Sequence, residues 1–328
     1  MQNRTQYVKL NNLKSQLLQV QYGVPQGSVL GPLLFILYVN DICEVSKLMK
    51  TIIFADDTNL ICCGENLDQL LDTVEHELKI LKQWFDSNKL TLNLSKTKYI
   101  IFGNRIKNTN KKLTINGIEI EEVNEVKFLG VIIDNKLCWK PHINYIKSKI
   151  VKSLAILYKV KDFLNKNSLY MLYCSFILPY ITYSMEVWGN TYKTNTNSIF
   201  ILQKRAIRII NKANYREPTN QLFIKLNTLK FQDLVDQKTL HIMFKAREKI
   251  LPQNIQKLFQ ARDSHYNLRG VCMFEQPLVR INAKYHCISV KGVLLWNKCS
   301  EQLKQSVTWN IFKKMYKMEV LKRYIVEY

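Results

Sequence analysis

Apolar and polar positions follow two different periods along the chain. Short apolar runs separated by turn residues occupy most of residues 1–63 and 89–134, and this pattern predicts β-strands joined by tight turns. Apolar residues three and four positions apart dominate residues 65–85 and most of the chain after Trp139, which predicts amphipathic helices. Strands gathered in the first part and helices in the second predict the α+β class.

One acidic turn interrupts the strand pattern. Asp56 and Asp57 lie between the apolar, β-favouring runs 51–54 and 60–63, so the sequence predicts strand, acidic turn and strand. Two adjacent carboxylates repel one another, and a divalent cation that binds both relieves this repulsion. Aspartate is also common in solvated turns. The pair alone therefore leaves open a metal site or an ordinary turn.

A loop rich in glycine and proline precedes this turn. Residues 23–32 read Gly-Val-Pro-Gln-Gly-Ser-Val-Leu-Gly-Pro and open into the apolar stretch from Leu33 to Val45, which predicts a buried helix or a strand. Pro-Gln-Gly-Ser followed about 25 residues later by Phe-Ala-Asp-Asp-Thr resembles the reverse transcriptases of non-LTR, LINE-type retrotransposons, in particular the jockey and CR1 groups.

The resemblance implies a partial polymerase palm in residues 1–134, formed by an antiparallel sheet with packed helices. It implies Asp56 and Asp57 as catalytic ligands of two Mg²⁺ ions, and Pro25, Gln26 and Gly27 as substrate-binding residues. Lys96 resembles the lysine that approaches the incoming triphosphate, and Lys98 is the alternative. Phe128, Leu129 and Gly130 resemble the region that supports the primer end, although a plain core strand would have a similar sequence.

Helical patterns follow the predicted palm. The resemblance implies a thumb-like helical domain over residues 135–190 and a basic, mainly helical C-terminal region over residues 191–328. The predicted helix 197–212 carries Lys204, Arg205 and Arg208 opposite its apolar face. These cations are candidates for contacts with nucleic-acid phosphates, and a solvated helix face is the alternative.

The charge of the chain is unevenly distributed. Residues 1–134 carry 15 Lys or Arg and 15 Asp or Glu, whereas residues 135–328 carry 33 and 11, so the whole net charge of +22 lies in the second part. A strongly basic region favours a polyanionic partner, and phosphate neutralisation provides much of the affinity for nucleic acids. A lysine-rich genome would explain the number of lysines but not this asymmetry.

Other features narrow the class of protein. The first residues have no apolar core of a signal peptide, and the longest apolar run is far shorter than the roughly 20 residues that span a bilayer. The eight cysteines show no metal-ligand spacing and are expected to be reduced. We expect an intracellular, soluble protein of the nucleus and cytoplasm.

An acidic residue that the resemblance implies is missing from this sequence. The family has a third metal-binding carboxylate upstream of the Pro-Gln-Gly loop, and no Asp or Glu precedes Asp41 here. The fingers are also missing. The sequence therefore predicts part of an RNA-directed DNA polymerase that is inactive by itself. In the parent enzyme its partners are an RNA template, a DNA primer and deoxynucleoside triphosphates. The alternatives are a non-catalytic nucleic-acid-binding remnant and an unstable relic with open sheet edges.

Overall fold

The chain is described by a computed structural model that covers residues 4–20, 23–24, 27–103, 111–262 and 274–326. It divides into two compact units, residues 1–123 and 124–328. The strands lie mostly in the first unit and the long helices mostly in the second, so the predicted α+β class is confirmed at this level. The limits predicted at 134/135 and 190/191 for palm, thumb and C-terminal region stay predictions.

The first unit contains ten strands and three helices within its described residues. They are β1 Arg4–Gln6, β2 Lys9–Leu10, β3 Leu13–Lys14, β4 Leu18–Val20, α1 Leu30–Val39, α2 Ile42–Val45, β5 Lys50–Phe54, β6 Asp57–Ile61, α3 Leu67–Ser87, β7 Lys98–Tyr99, β8 Thr114–Ile115, β9 Ile118–Glu119 and β10 Glu121–Glu122.

The strands of this unit form separate two-stranded pieces. The pairs β1–β4, β2–β3, β5–β6 and β8–β9 are antiparallel, and β7–β10 is parallel. Among the described residues these pairs do not join into the single antiparallel sheet that the resemblance implied, and the parallel pair was not expected. The hairpin β8–β9 lies between β7 and β10 in the chain and lets β10 run alongside β7 in the same direction.

Turn chemistry explains where the hairpins form. An Asn-Gly turn joins β8 to β9, with Asn116 and Gly117 at φ +50° and +77°, and positive φ at both central residues is what a type I′ turn requires. An Asn11-Asn12 turn joins β2 to β3, with Asn11 at φ +53°. The predicted strands joined by tight turns are therefore confirmed in both hairpins.

Helix α1 differs from its prediction. The sequence Leu-Gly-Pro-Leu-Leu-Phe-Ile-Leu-Tyr-Val predicts a buried element, yet among its residues only Gly31 and Val39 are buried. Leu33 is 54% exposed, Ile36 57% and Leu37 66%. The prediction of burial is wrong for this helix, because no other described element of the first unit covers its outer sides. The predicted stretch also ends early, since α1 and the short α2 replace one helix.

Helix α3 organises the first unit. Its apolar stripe contacts two separate clusters: Leu71 lies with Leu113, Ile115 and Ile120, and Leu81 lies with Ile42 and Met49. The Asn66 side chain accepts the backbone N–H groups of residues 68 and 69 and caps the helix.

The second unit contains one strand pair and twelve helices within its described residues. They are β11 Glu125–Phe128, β12 Val131–Asp134, α4 Lys140–Val160, α5 Lys166–Phe176, α6 Leu178–Thr182, α7 Met185–Trp188, α8 Lys193–Ile210, α9 Asn220–Lys225, α10 Phe231–Arg247, α11 Gln253–Gln256, α12 Asn282–Tyr285, α13 Ile288–Lys298, α14 Glu301–Lys304 and α15 Trp309–Val326.

A single large core holds these helices together. The predicted stripe of α4 is buried over its whole length, from His142 and Ile143 to Leu157. Trp188, Phe223 and Trp296 are fully buried in the same cluster. Helices from both the predicted thumb and the predicted C-terminal region contribute to it, because α4 packs along α8 and α10 contacts α6, α7 and α8.

His142 is a buried histidine in this core. It is 2% exposed, and its Nδ1 accepts the backbone N–H of Ile132 at 3.2 Å. Its Nε2 has no partner among the described residues. Burial lowers the pKa of His142 to about 4, so the imidazole is neutral in the folded state at neutral pH.

Acid is therefore expected to destabilise the second unit through His142. An unfolded histidine has a pKa of about 6.5, so between pH 6.5 and 4 the unfolded chain binds a proton that the folded chain does not. Stability from this residue is complete above pH 6.5 and is lost as the pH falls. The free energy of unfolding should be lower at pH 5 than at pH 7 by about 2 kcal/mol.

Urea titrations at pH 7 and pH 5 measure this loss. Because the carboxylates also titrate towards acid pH, the comparison is between the natural chain and His142→Gln. We expect the variant to be less stable at pH 7 and to lose less stability between the two pH values. An equal pH dependence in both chains would contradict this account of His142.

Candidate functional site

The acidic turn is the tip of the hairpin β5–β6. Phe54 pairs with Asp57, which leaves Ala55 and Asp56 as a two-residue turn. Ala55 has φ +52°, a conformation that is uncommon for a residue other than glycine. The strand–turn–strand prediction is confirmed, and the tight turn holds two consecutive carboxylates at one end of a hairpin.

Both carboxylates of this turn are accessible. Asp56 and Asp57 are exposed, and neither side-chain carboxylate forms a hydrogen bond or an ion pair with any described residue. No group of three or more potential metal-ligating side chains occurs in the described parts of the chain. Mg²⁺ commonly binds one or two carboxylates and completes its shell with water and substrate phosphates, so this pair fits a Mg²⁺ ion.

The predicted lysine lies on a different part of the first unit. Lys96 is exposed in the turn 93–97, where the Asn93 side chain accepts the backbone N–H of Lys96 and the hydroxyl of Ser95. Leu92 and Leu94 of this segment pack on the cluster around Leu71.

Ile53 and Leu60 of the acidic hairpin pack instead on the cluster around Leu81. Leu71 and Leu81 are ten positions apart on α3, which is about 15 Å along the helix. The other candidate, Lys98, forms an ion pair with Glu121 at 2.9 Å, so Lys96 is the lysine of this segment that remains unpaired among the described residues.

The Gly/Pro loop is described only in part. Pro25 and Gln26 lie outside the described residues. Gly27 has φ +80°, a conformation that favours glycine, and the Ser28 hydroxyl accepts the N–H of Gly31 at 3.1 Å as the chain enters α1.

Phe128, Leu129 and Gly130 form the tip of the hairpin β11–β12. Phe128 pairs with Val131, and the two turn residues Leu129 and Gly130 have φ +45° and +82°. The Tyr183 hydroxyl donates a hydrogen bond of 2.6 Å to the Leu129 carbonyl. A Cβ added at Gly130 would lie 3.3 Å from the Tyr183 ring, so glycine at this position permits the close contact.

The predicted phosphate-binding residues differ in their surroundings. Lys204 is half-buried, and its ammonium lies 4.7 Å from the centre of the Phe200 ring. The Arg208 Nε donates to the Glu217 carbonyl at 2.9 Å. Arg205 is exposed. Arg205 and Arg208 line one cavity with Lys161 and Lys212, two cations that the sequence analysis did not select.

Comparisons with known proteins match the segment of the chain that contains the acidic turn. Residues 2–133 match a protein family described as "Reverse transcriptase (RNA-dependent DNA polymerase)". These matches confirm the resemblance to reverse transcriptases of LINE-type retrotransposons that the motifs predicted.

Three relatives from Drosophila melanogaster illustrate the relationship. The chain is 27% identical over 71% of its length to "RNA-directed DNA polymerase from mobile element jockey", covering 26% of that protein. It is 26% identical over 73% of its length to the probable polymerase of transposon BS, covering 28% of it. It is 29% identical over 64% of its length to that of transposon X-element, covering 24%. The chain thus spans about a quarter of the length of these relatives.

No solved structure resembles the chain significantly. Among the helices described here, none combines the length and the apolar character needed to cross a membrane.

Proposed function

We propose that this chain provides part of the catalytic centre and the nucleic-acid-holding region of an RNA-directed DNA polymerase. The observation that supports this most is the unpartnered pair Asp56 and Asp57 at the tip of a tight hairpin, inside the segment that matches the reverse transcriptase family. The relatives' names describe polymerases of mobile elements.

The two carboxylates would hold Mg²⁺. The metal ions supply charge stabilisation and activation of a hydroxyl for in-line displacement on a phosphate. Asp56 and Asp57 would bind and orient these ions at the turn, and Lys96 would neutralise the triphosphate or protonate the leaving pyrophosphate. Pro25, Gln26 and Gly27 would contact the substrate, and the turn 128–130 would support the primer.

The second unit would hold the product. We propose residues 1–134 as part of the palm, residues 135–190 as a thumb and residues 191–328 as a basic C-terminal region. RNA template and DNA primer would bind as a duplex along the basic surface, because 33 of the 48 basic residues lie after residue 134.

A second candidate function is binding without catalysis. Among the described residues, only two carboxylates lie together at the acidic turn. A two-metal centre needs more oxygen ligands than this single pair supplies. We therefore propose that this chain alone binds nucleic acid and does not extend a primer.

Iron-directed cleavage tests the metal site independently of catalysis. Fe²⁺ replaces Mg²⁺, and ascorbate with peroxide then generates radicals that cut the backbone beside the bound ion. Mass spectrometry should locate cleavage next to Asp56 and Asp57, and an excess of Mg²⁺ should suppress it. Asp56→Asn with Asp57→Asn should abolish it, because the variant retains the shape of both side chains but removes both charges.

Glu121 and Glu122 provide a matched control within the same unit. They are also adjacent and exposed, but Glu121 is paired with Lys98 and Glu122 accepts from the Tyr99 hydroxyl at 3.3 Å. Cleavage beside these residues should be weak, and Glu121→Gln with Glu122→Gln should leave the cut at the acidic turn unchanged. Equal cleavage at both pairs, or none at Asp56 and Asp57, would contradict the metal site.

A further inference from the structure

A basic cavity lies where the C-terminal ends of α4 and α8 meet. Its volume is about 670 Å³, and its lining includes the four cations Lys161, Arg205, Arg208 and Lys212, the acid Asp162, and the two tyrosines Tyr158 and Tyr215. Lys161, Arg205 and Lys212 form no ion pair with any described residue.

The helix dipoles neutralise only part of the positive charge of this cavity. Cations near a helix C-terminus stabilise it, and each helix end carries the equivalent of about half a negative charge. The ends of α4 and α8 together with Asp162 therefore offset about two of the four positive charges. Glu217 and Arg216 in the adjoining loop offset one another. About two positive charges remain available to an anion.

The two tyrosines indicate what kind of anion fits. Tyr158 is 58% exposed and Tyr215 is 73% exposed, although each lines a concave surface. The Lys161 ammonium lies 4.1 Å from the centre of the Tyr158 ring and covers one of its faces. Tyr215 has no ring or cation partner among the described residues. Exposed aromatic rings beside cations are the elements with which proteins bind unpaired bases and their phosphates.

We propose that this cavity binds an unpaired stretch of a nucleic-acid strand, with phosphates on Arg205 and Lys212 and a base stacked on Tyr215. A base can stack on a side chain only when it is not enclosed in a duplex. A cavity of this volume accommodates a ligand of one or two nucleotides rather than a double helix. This inference rests on the proposed function and adds a single-strand site to the duplex-binding surface.

The cavity predicts how binding responds to salt. The full chain is titrated with a fluorescent 20-nucleotide poly-uridine RNA at several salt concentrations. Each phosphate contact with a single strand contributes about 0.7 to the slope of log K against log salt, so Arg205→Gln with Lys212→Gln should make the slope shallower by about 1.4. Lys47→Gln with Lys50→Gln removes two exposed lysines of the first unit and should leave the slope unchanged.

Stacking gives a second, independent readout. Tyr215→Ala should weaken binding of poly-uridine about fivefold or more, whereas Tyr215→Phe retains the ring and should bind as the natural chain does. Because Tyr215 is largely exposed, neither variant should unfold the chain, and thermal unfolding checks this. Binding of an RNA–DNA duplex of the same length should change much less in both variants.

Three outcomes would overturn the proposal. The first is an unchanged slope in the Arg205 and Lys212 variant, and the second is equal affinity of Tyr215→Ala and Tyr215→Phe. The third is displacement of the RNA by polyglutamate at equal charge, which would assign the cavity to acidic proteins. The proposed function fails separately, if the natural chain shows neither metal-directed cleavage at the acidic turn nor binding of the duplex.

Discussion

The affinity of this chain for an RNA–DNA duplex is expected to fall by about a thousandfold or more between 50 and 200 mM salt. Residues 135–328 carry 33 basic and 11 acidic side chains. A protein that neutralises about six to ten phosphates loses this much affinity, because the release of counterions from the nucleic acid is less favourable at higher salt concentration. Fluorescence anisotropy of a labelled duplex over this salt range measures the slope directly.

Charge variants assign this salt dependence to the second unit. Lys147, Lys152 and Lys159 are exposed on α4, and their replacement by glutamine should reduce the slope by up to about 2.7. The control replaces Lys9, Lys47 and Lys50, three exposed lysines of the first unit, and should change the slope little. Equal reductions in both triple variants would show that the basic asymmetry of the chain does not direct binding.

Truncation of Trp188 is expected to cost about 3–5 kcal/mol of the unfolding free energy of the second unit. The indole is fully buried, and its Nε1 donates to the Tyr183 carbonyl at 3.0 Å. Its ring meets the edge of His142 at 5.4 Å between centres and lies 6.0 Å from Phe231. Trp188→Ala therefore opens a cavity between α4, α7 and α10 and leaves the partly buried Tyr183 carbonyl without this donor.

Urea unfolding of Trp188→Ala and Trp188→Phe measures this cost. The phenylalanine variant retains much of the buried ring area but loses the hydrogen bond, so it should be destabilised by a smaller amount. Because Tyr183 also bonds to the Leu129 carbonyl, the alanine variant should weaken the turn 128–130 as well. A loss below about 1 kcal/mol for Trp188→Ala would contradict this description of the core.

Local patterns in the sequence were sufficient for much of the fold. The stripe of α4 predicts a buried helix face because apolar residues recur at its period, and every residue of the predicted stripe is buried. Asn116 and Gly117 predict a turn because both residues tolerate positive φ. The acidic hairpin was predictable because two β-favouring runs flank two turn-forming aspartates.

Long-range features were not predictable in the same way. The apolar sequence of α1 predicts burial, but burial depends on which element covers the helix, and the helix pattern does not contain that information. Leu129 adopts positive φ without any turn signal, in a hairpin that Tyr183 contacts from 54 residues further along the chain. The basic cavity forms because α4 and α8 end side by side. Lys161 and Arg205, which are 44 positions apart in the sequence, therefore line the same cavity.

The residues of the candidate sites also divide into those that the sequence predicts and those that only the packing of the helices reveals. Asp56 and Asp57 were predicted from a short motif and Arg205 from a basic helix face, and all three are exposed where a ligand can reach them. Lys204 was chosen from its position in a basic cluster, but its ammonium lies over Phe200. Lys161, Lys212 and Tyr215 belong to segments without any recognisable motif, and only the packing of the helices brings them to one cavity.

Primer extension tests the central claim most directly. The chain is incubated with an RNA template, an annealed DNA primer, deoxynucleoside triphosphates and Mg²⁺, beside Asp56→Ala with Asp57→Ala, and duplex binding is measured in the same samples. Since we propose that this chain alone binds nucleic acid without catalysis, we predict no extension, with salt-sensitive binding of the duplex by both proteins. Extension by the natural chain that disappears in the variant would contradict the account, since it would require a complete metal centre.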